Sequence, residues 1–322
     1  MTGNKTPMGP PATRGWVIAG FAAIYVLWGG TYLAIALGLR SIPPFLLMSA
    51  RAVLAGLILL ALARLWGFKL PRADEWLRAA VAGILLFGGC HGALAYAEQH
   101  VPSGLAAVML ATIPFWIVLI NRLMPAGERP KAASLIVLVP GFAGVALIAW
   151  SGSAASDRAI DPTMLLLLLG AAFSWALGSV YSQRCAADIP AMSLSGMQLF
   201  CGGSILFAVS GFVGEWRDFA PERMSTVAIL AIAYLTLAGG VVAFTAYVWL
   251  LDHLPGPIVA TYTFVNPAIA ILLGWSVLGE RLTAFMILGV ALVVGSIVGL
   301  SILPSHETAA RSRARRTGAK LD

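Results

Sequence analysis

The chain has 322 residues, 59% of them hydrophobic and 11% charged, with a mean hydropathy of +0.88. Soluble domains carry about 25% charged residues, so this composition excludes a soluble globular protein. The net charge of +7 needs no nucleic-acid partner. Its largest cluster, the RSRARR run near the C-terminus, suits a topological anchor beside anionic lipid headgroups.

The apolar mass falls into ten blocks, at roughly 16–39, 45–65, 76–97, 103–123, 131–150, 163–183, 191–212, 226–250, 257–278 and 283–302. Each is near the about 17–25 residues that cross a bilayer as a helix. An all-α integral membrane protein with ten transmembrane helices and short connections is expected. The first block follows Lys5 and Arg14 and runs from Trp16 to Leu39. It is longer than the about 7–15 residues of a signal-peptide core, and reads as an uncleaved first helix.

Within that span Trp28 and Tyr32 stand one turn apart on one face. Rings facing a cavity stack on organic solutes and offer polar tips. The second span contains Arg51, placed either to neutralise a substrate carboxylate or, the preferred reading, to cap a helix end or bond a backbone carbonyl. The third holds His91 and Glu98, seven residues apart and so on one face. Intramembrane ionisable groups are costly and mark pathways by default, and His91 is the group that titrates near neutral pH. It can carry a proton, bond a substrate, or rest neutral against a neighbouring helix. Glu98 is expected at the outer rim.

Pro114 in the fourth span and Pro267 in the ninth each remove a helix hydrogen bond and free the carbonyl four residues back, those of Leu110 and Thr263. The two read as kinks that line a pathway or that simply bend helices for packing. Tyr262 and Asn266 share a face beside Pro267. Tyr181 in the sixth span and Tyr247 in the eighth are further lining candidates, with Trp116 and Trp175 in the same class. The substrate-binding set is therefore Trp28, Tyr32, His91, Tyr181, Tyr247, Tyr262 and Asn266. Gly88/Gly92, Gly170/Ser174/Gly178, Ala270/Gly274 and Gly295/Gly299 have the four-residue spacing of close helix contacts. Cys90, Cys185 and Cys201 lack metal-ligand or framework spacing and read as packing. No metal site and no cofactor are expected.

Basic residues resist translocation. With the N-terminus in the cytoplasm, fifteen lie inside and five (Arg40, Arg158, Arg217, Arg223 and Arg281) lie outside. Both termini, residues 1–15 and 304–322, are then cytoplasmic tails, as an even number of spans requires.

One segment occurs twice. Residues 101–129 and 254–281 each open on a proline, Pro102 or Pro255, and carry a second proline twelve residues later, Pro114 or Pro267. Each closes on Gly-Glu-Arg, at Gly127-Glu128-Arg129 and Gly279-Glu280-Arg281. Glu128 and Glu280 read as structural, pairing with the adjacent arginines or closing a gate. His100-Val101-Pro102 parallels His253-Leu254-Pro255, and Ile42-Pro43 parallels Ile189-Pro190. The chain divides into a first repeat at 16–151 and a second at 161–303, joined by a polar loop at Ser151–Asp161. Five spans per half is odd, so the second half enters the membrane in the opposite sense. The expected architecture is two inverted five-helix repeats with a substrate site near the midplane between them.

The WGGTY stretch (Trp28–Tyr32), the run through Glu98 to Pro102–Val108, the paired GER endings and the VNPxxAxLLG run (Val265–Gly274) resemble the EamA family of the drug/metabolite transporter superfamily, and within it the YedA-like bacterial inner-membrane exporters. The resemblance covers Trp16 to Ile302. It implies ten helices, a cavity lined mainly by spans 1, 3, 4, 6, 8 and 9, and export of small metabolites or toxic analogues, amino acids among them. It also implies a multi-pass protein of the bacterial inner membrane. His91 departs from the asparagine that the resemblance would place there.

A phosphate-binding loop is missing, so ATP does not drive the protein directly. GxSxG, HExxH and paired carboxylates are missing too, and an enzyme is not expected. A central carboxylate, used to exchange protons for lipophilic cations, is also missing. The function expected is a secondary transporter that exports small polar or zwitterionic metabolites across the plasma membrane by alternating access. The alternatives are a flippase for lipid-linked substrates and a multidrug exporter. Its partners would be a small-molecule substrate and the lipid bilayer, with a homodimer left open.

Overall fold

Apolar runs bounded by proline, glycine and short polar turns become helices in the computed structural model, which describes residues 13–69, 71–123, 139–141, 143, 144, 147, 161–186, 189–254, 256–279 and 283–302. Seven of these helices are long and apolar enough to cross a membrane: α1 (Arg14–Gly38), α2 (Pro44–Leu65), α3 (Ala73–Ala97), α4 (Ser103–Leu123), α5 (Pro162–Cys185), α6 (Ala191–Phe212) and α7 (Thr226–His253). Two more apolar helices follow, α8 (Tyr262–Leu273, continued by Gly274–Leu278) and α9 (Ala284–Ile302). In the sequence reading α5 to α9 are spans six to ten. Of the fifth span, only a few helical residues at 139–147 are described. Pro255, Glu128, Arg129, Glu280, Arg281, the loop at 151–160 and the tails at 1–12 and 303–322 lie outside the described residues.

Local chemistry sets the helix ends. Pro44 and Pro162 occupy first-turn positions, where a missing N–H costs nothing. Asp161 caps α5 by accepting from Thr163 N at 2.8 Å, and these bonds hold its carboxyl below the usual range. Ser225 caps α7 by accepting from Ala228 N at 3.1 Å. The cap of α2 comes from elsewhere in the chain. Glu215, in the connection between α6 and α7, accepts from Phe45 N at 3.1 Å and Leu46 N at 2.8 Å. Burial pushes the Glu215 carboxyl up, while those two backbone bonds pull the other way. Gly214 after α6 and Gly279 after α8 have φ of 86° and 70°, a left-handed cap conformation that glycine adopts without steric cost.

Helices α2 and α6 pack backbone to backbone. A Cβ on Gly56 would stand 2.6 Å from Phe200 N and 2.8 Å from Gly196 O, and one on Gly203 would stand 2.8 Å from Val53 N. Small residues let helices approach this closely in a membrane, where dispersion replaces hydrophobic drive. The spacing rule also selected Gly88, Gly92 and Gly178, whose added Cβ atoms would meet Ile205, Leu206 and Leu86 at 3.0, 2.7 and 2.9 Å. At Gly170 and Gly295 nothing among the described residues lies within 4 Å.

The exterior carries apolar side chains, among them Ile18, Leu54, Leu166, Phe207 and Leu230, while Ser49, Thr112, Ser195 and Gln198 are buried. This distribution matches a bundle surrounded by lipid, since soluble proteins rarely expose contiguous apolar surface on this scale.

The proline segments differ from the expected simple kinks. Helix α4 ends a first piece at Leu110 and begins a second at Ile113, so Pro114 lies in the first turn of a new helix. Buried Thr112 donates from Oγ1 to Met109 O at 2.8 Å across that break. In the second copy a short piece at Gly256–Val259 precedes α8, and Pro267 remains inside α8. Thr263 Oγ1 donates to Ala260 O at 2.8 Å there. The chain is interrupted in both copies, but in the second the interruption comes further ahead of the proline.

Candidate functional site

Stretches of α1 (Ala23–Leu27), α3 (Ile84–His91) and α7 (Leu235–Phe244) wind as π-helix. Such turns loosen the regular backbone ladder and recur at functional sites. At membrane depth the released carbonyls need partners, and side chains from neighbouring helices supply them. Tyr234 Oη donates to Leu27 O at 2.8 Å, Ser174 Oγ to Leu85 O at 2.8 Å, and Trp28 Nε1 to Gly239 O at 3.0 Å. The Asn266 amide, oriented so that both groups are satisfied, donates to Tyr25 O at 3.1 Å and Tyr262 O at 3.2 Å. Asn266 is thus a tie between α8 and α1.

These stretches surround one buried group of rings. Trp28 of α1 meets Tyr262 of α8 at 4.9 Å between centroids, Tyr247 of α7 at 5.1 Å and Trp175 of α5 at 5.7 Å. Trp175 is the hub: it also contacts Tyr247 at 5.7 Å and, edge-on, His91 of α3 at 5.1 Å. Phe87 extends the group to His91 at 5.0 Å and Phe244 at 4.9 Å. Most of the pairs are tilted or edge-to-face, geometries worth about 0.5–1.5 kcal/mol each beyond burial. Tyr247 Oη and Ser179 Oγ share a 2.8 Å hydrogen bond, and Ser179 Oγ donates onward to Trp175 O at 2.7 Å. The Trp175 indole N–H lies beside the Tyr247 and Tyr262 hydroxyls, and among the described residues His91 Nδ1 has no hydrogen-bond partner.

Of the expected residues, the fold therefore gathers Trp28, His91, Tyr247 and Tyr262, with Asn266 behind them. Tyr32 is buried one turn beyond Trp28, within electrostatic reach of Cys90 and Glu98, and has no ring contact among the described residues. Tyr181 is half-buried and likewise outside the ring group. Trp116 packs on Phe173 at 5.4 Å, away from it. Glu98, expected at a rim, is buried at 8% exposure. Arg51, expected to bond a helix end or a carbonyl, is 5% exposed and among the described residues makes no hydrogen bond from Nε. Phe87, Phe244 and Gly239 escaped the sequence reading. A signal existed: Gly88-Gly89 and Gly239-Gly240 are the fifth and sixth residues of the two longest π-helical stretches. Among the described residues no three His, Cys, Asp or Glu side chains gather as metal ligands.

An all-helical bundle with an apolar exterior and a buried aromatic centre drawn from five helices fits a multi-pass membrane protein. The EamA-like transporter family matches residues 15–150 and again 162–302, and the chain belongs to that family. It is 33% identical over 277 residues to the uncharacterized inner membrane transporter YedA of Escherichia coli K12, covering 86% of this chain and 87% of the relative. It is 28% identical to the uncharacterized transporter YvbV of Bacillus subtilis, over 89% of this chain and 91% of that one. A probable amino-acid metabolite efflux pump of Salmonella typhimurium is 23% identical, over 86% and 93%. A solved crystal structure at 20% identity superposes with a TM-score of 0.66, covering 90% of this chain and 98% of that one, a likeness of fold.

Proposed function

We propose that this EamA-family chain exports small polar or zwitterionic metabolites, amino acids or their toxic analogues among them, across the inner membrane by alternating access. In this reading the halves 16–151 and 161–303 are inverted five-helix repeats, ten spans in all, with both termini cytoplasmic. The observation that carries it is Trp28. This side chain of the first half is enclosed by Trp175, Tyr247 and Tyr262 of the second. Rocking one half against the other would part those rings, open the site to one side and then the other, and leave aromatic faces for a solute to stack on.

The two family matches, one per half, support the duplication. The names of the Escherichia coli and Salmonella relatives support the membrane and the solute class. His91 and the hydroxyls of Tyr247 and Tyr262 would bond the polar part of the solute.

The test is counterflow in proteoliposomes loaded with a panel of amino acids and metabolite analogues. Exchange of at least one labelled solute above protein-free vesicles is expected. Neither flux nor binding across the panel would overturn the reading. Movement of fluorescent lipid between leaflets without solute exchange would favour a flippase instead.

A further inference from the structure

Three helices meet at one end of the bundle, and each brings a guanidinium there. Arg78 stands in the second turn of α3, Arg122 in the last turn of α4 and Arg184 in the last turn of α5. Hydrogen bonds tie the three ends together. Arg78 Nη1 donates to Cys185 O at 2.8 Å, and Arg184 Nη2 donates to Asn121 Oδ1 of α4 at 3.1 Å. Cys185 is the last residue of α5, and the negative end of a helix dipole favours cations. The end of α5 therefore draws Arg78 from α3 toward its own Arg184.

The carboxylates of this end lie on the α3 side. Asp74 Oδ2 is shared by Arg72 Nη2 at 2.8 Å and Arg78 Nη2 at 3.2 Å. Glu75 accepts from Arg72 N at 2.8 Å and stands 3.9 Å from Arg72 Nε. Arg184 meets a neutral amide instead, and it forms no ion pair among the described residues. In the sequence the connection after α4 adds Glu128, Arg129 and Lys131, so the sign of the group stays positive. The connection between α6 and α7, at the opposite end, mixes Glu215, Arg217, Asp218, Glu222 and Arg223 and carries no such excess.

Arg122 and Arg184 are exposed, and apolar surface adjoins the cluster. Leu77, Val81 and Ile84 are exposed along one face of α3, leading from Arg78 into the bundle's apolar zone. Leu123, beside Arg122, is exposed as well. Positive charge at a helix end, with an apolar row running inward from it, complements a lipid of opposite charge. A guanidinium pairs with phosphate oxygens in a planar, two-bond geometry. The positive excess sets the lipid class, because it repels the ammonium of a zwitterionic headgroup and attracts one with net negative charge.

We propose that the joined ends of α3, α4 and α5 bind the headgroup of an anionic phospholipid. Its phosphodiester lies on Arg184, with Arg122 and Arg78 alongside, and an acyl chain follows Leu77, Val81 and Ile84. Helices α3 and α4 belong to the first half of the chain and α5 to the second, so the lipid would bridge the halves at this end. The proposal concerns a site apart from the ring group and does not depend on which solute is carried.

Native mass spectrometry of the purified full-length protein tests it, with phosphatidylglycerol and phosphatidylcholine of identical acyl chains as probes. Wild type is expected to bind the first phosphatidylglycerol at least about fivefold more tightly, the scale of one basic side chain at an anionic surface. Arg184→Gln should bring that preference below about twofold. Arg223→Gln removes the same charge at the opposite end and should leave the preference unchanged. Equal binding of the two lipids by wild type overturns the proposal without any variant. An undiminished preference in Arg184→Gln overturns it too, and so does an equal loss in both variants, which would be a response to net charge alone. Should Arg184→Gln fail to fold, Arg122→Gln replaces it with the same expectations. Soluble glycerol 3-phosphate in excess should not displace phosphatidylglycerol, and displacement would overturn the assignment to a lipid in favour of a free phosphate ester.

Discussion

Trp28 does two jobs with one side chain. Its indole N–H closes the backbone of α7 at Gly239 O, and its ring meets three aromatic rings of the second half. Tyr262 makes two of the ring contacts, to Trp28 and Tyr247. Truncating either removes stacking surface. Trp28→Ala or Tyr262→Ala is expected to lower solute flux at least about tenfold, a loss of roughly 1.4 kcal/mol, while the purified protein stays folded. Tyr181→Ala, outside the ring group, should leave flux within about twofold of wild type. Transport assays on protein of matched melting temperature decide this, and normal flux in both first variants would remove them from the site. At this scale the sequence disclosed candidates but not their ranking. Trp175 and Tyr181 sit on the same helix with similar chemistry, yet one is the hub and the other stands apart. Six residues on a helix differ by a large rotation, and only the neighbours' positions say which direction faces inward.

Helix contacts follow a rule that the sequence obeys only in part. Gly56, Gly196 and Gly203 join α2 to α6 at distances that admit no side chain, although the sequence reading passed over the Ala52/Gly56 spacing. Gly170 and Gly295 fit such spacings and meet nothing within 4 Å among the described residues. Gly56→Val would drive a Cβ into the Phe200 backbone and force the helices apart, an overpacking cost of about 1–3 kcal/mol or more. A clear fall in melting temperature in detergent is expected, with Gly170→Val unchanged. Equal melting of the two variants would show that α2 and α6 are not held by this contact. The π-helical stretches belong to this scale as well. Hydropathy reads α1, α3 and α7 as uninterrupted spans, because a π turn changes hydrogen bonding without changing composition. The proline motif was legible as a repeat, but its interruption falls at different distances from the proline in the two copies.

For the whole molecule, the proposed topology puts both tails in the cytoplasm and the 151–160 connection outside. In a background without the three native cysteines, a cysteine placed at 151–160 should react with an impermeant maleimide in intact cells. One placed in the C-terminal tail should react only after permeabilisation. The opposite labelling pattern would reverse the orientation.

The sequence by itself determined that this chain lives in a membrane, that it is helical and that it resembles the EamA family. Those properties depend on composition, span length and short motifs, all of them local. The tertiary structure decided which rings meet, that Glu98 is buried, that Glu215 caps α2 from a distant connection, and that Arg51 is buried beside the Phe87 ring. In each case the cause is long-range. A buried charge or an orphaned donor is defined by what lies opposite it, and in this protein what lies opposite comes from another helix, often from the other half of the chain.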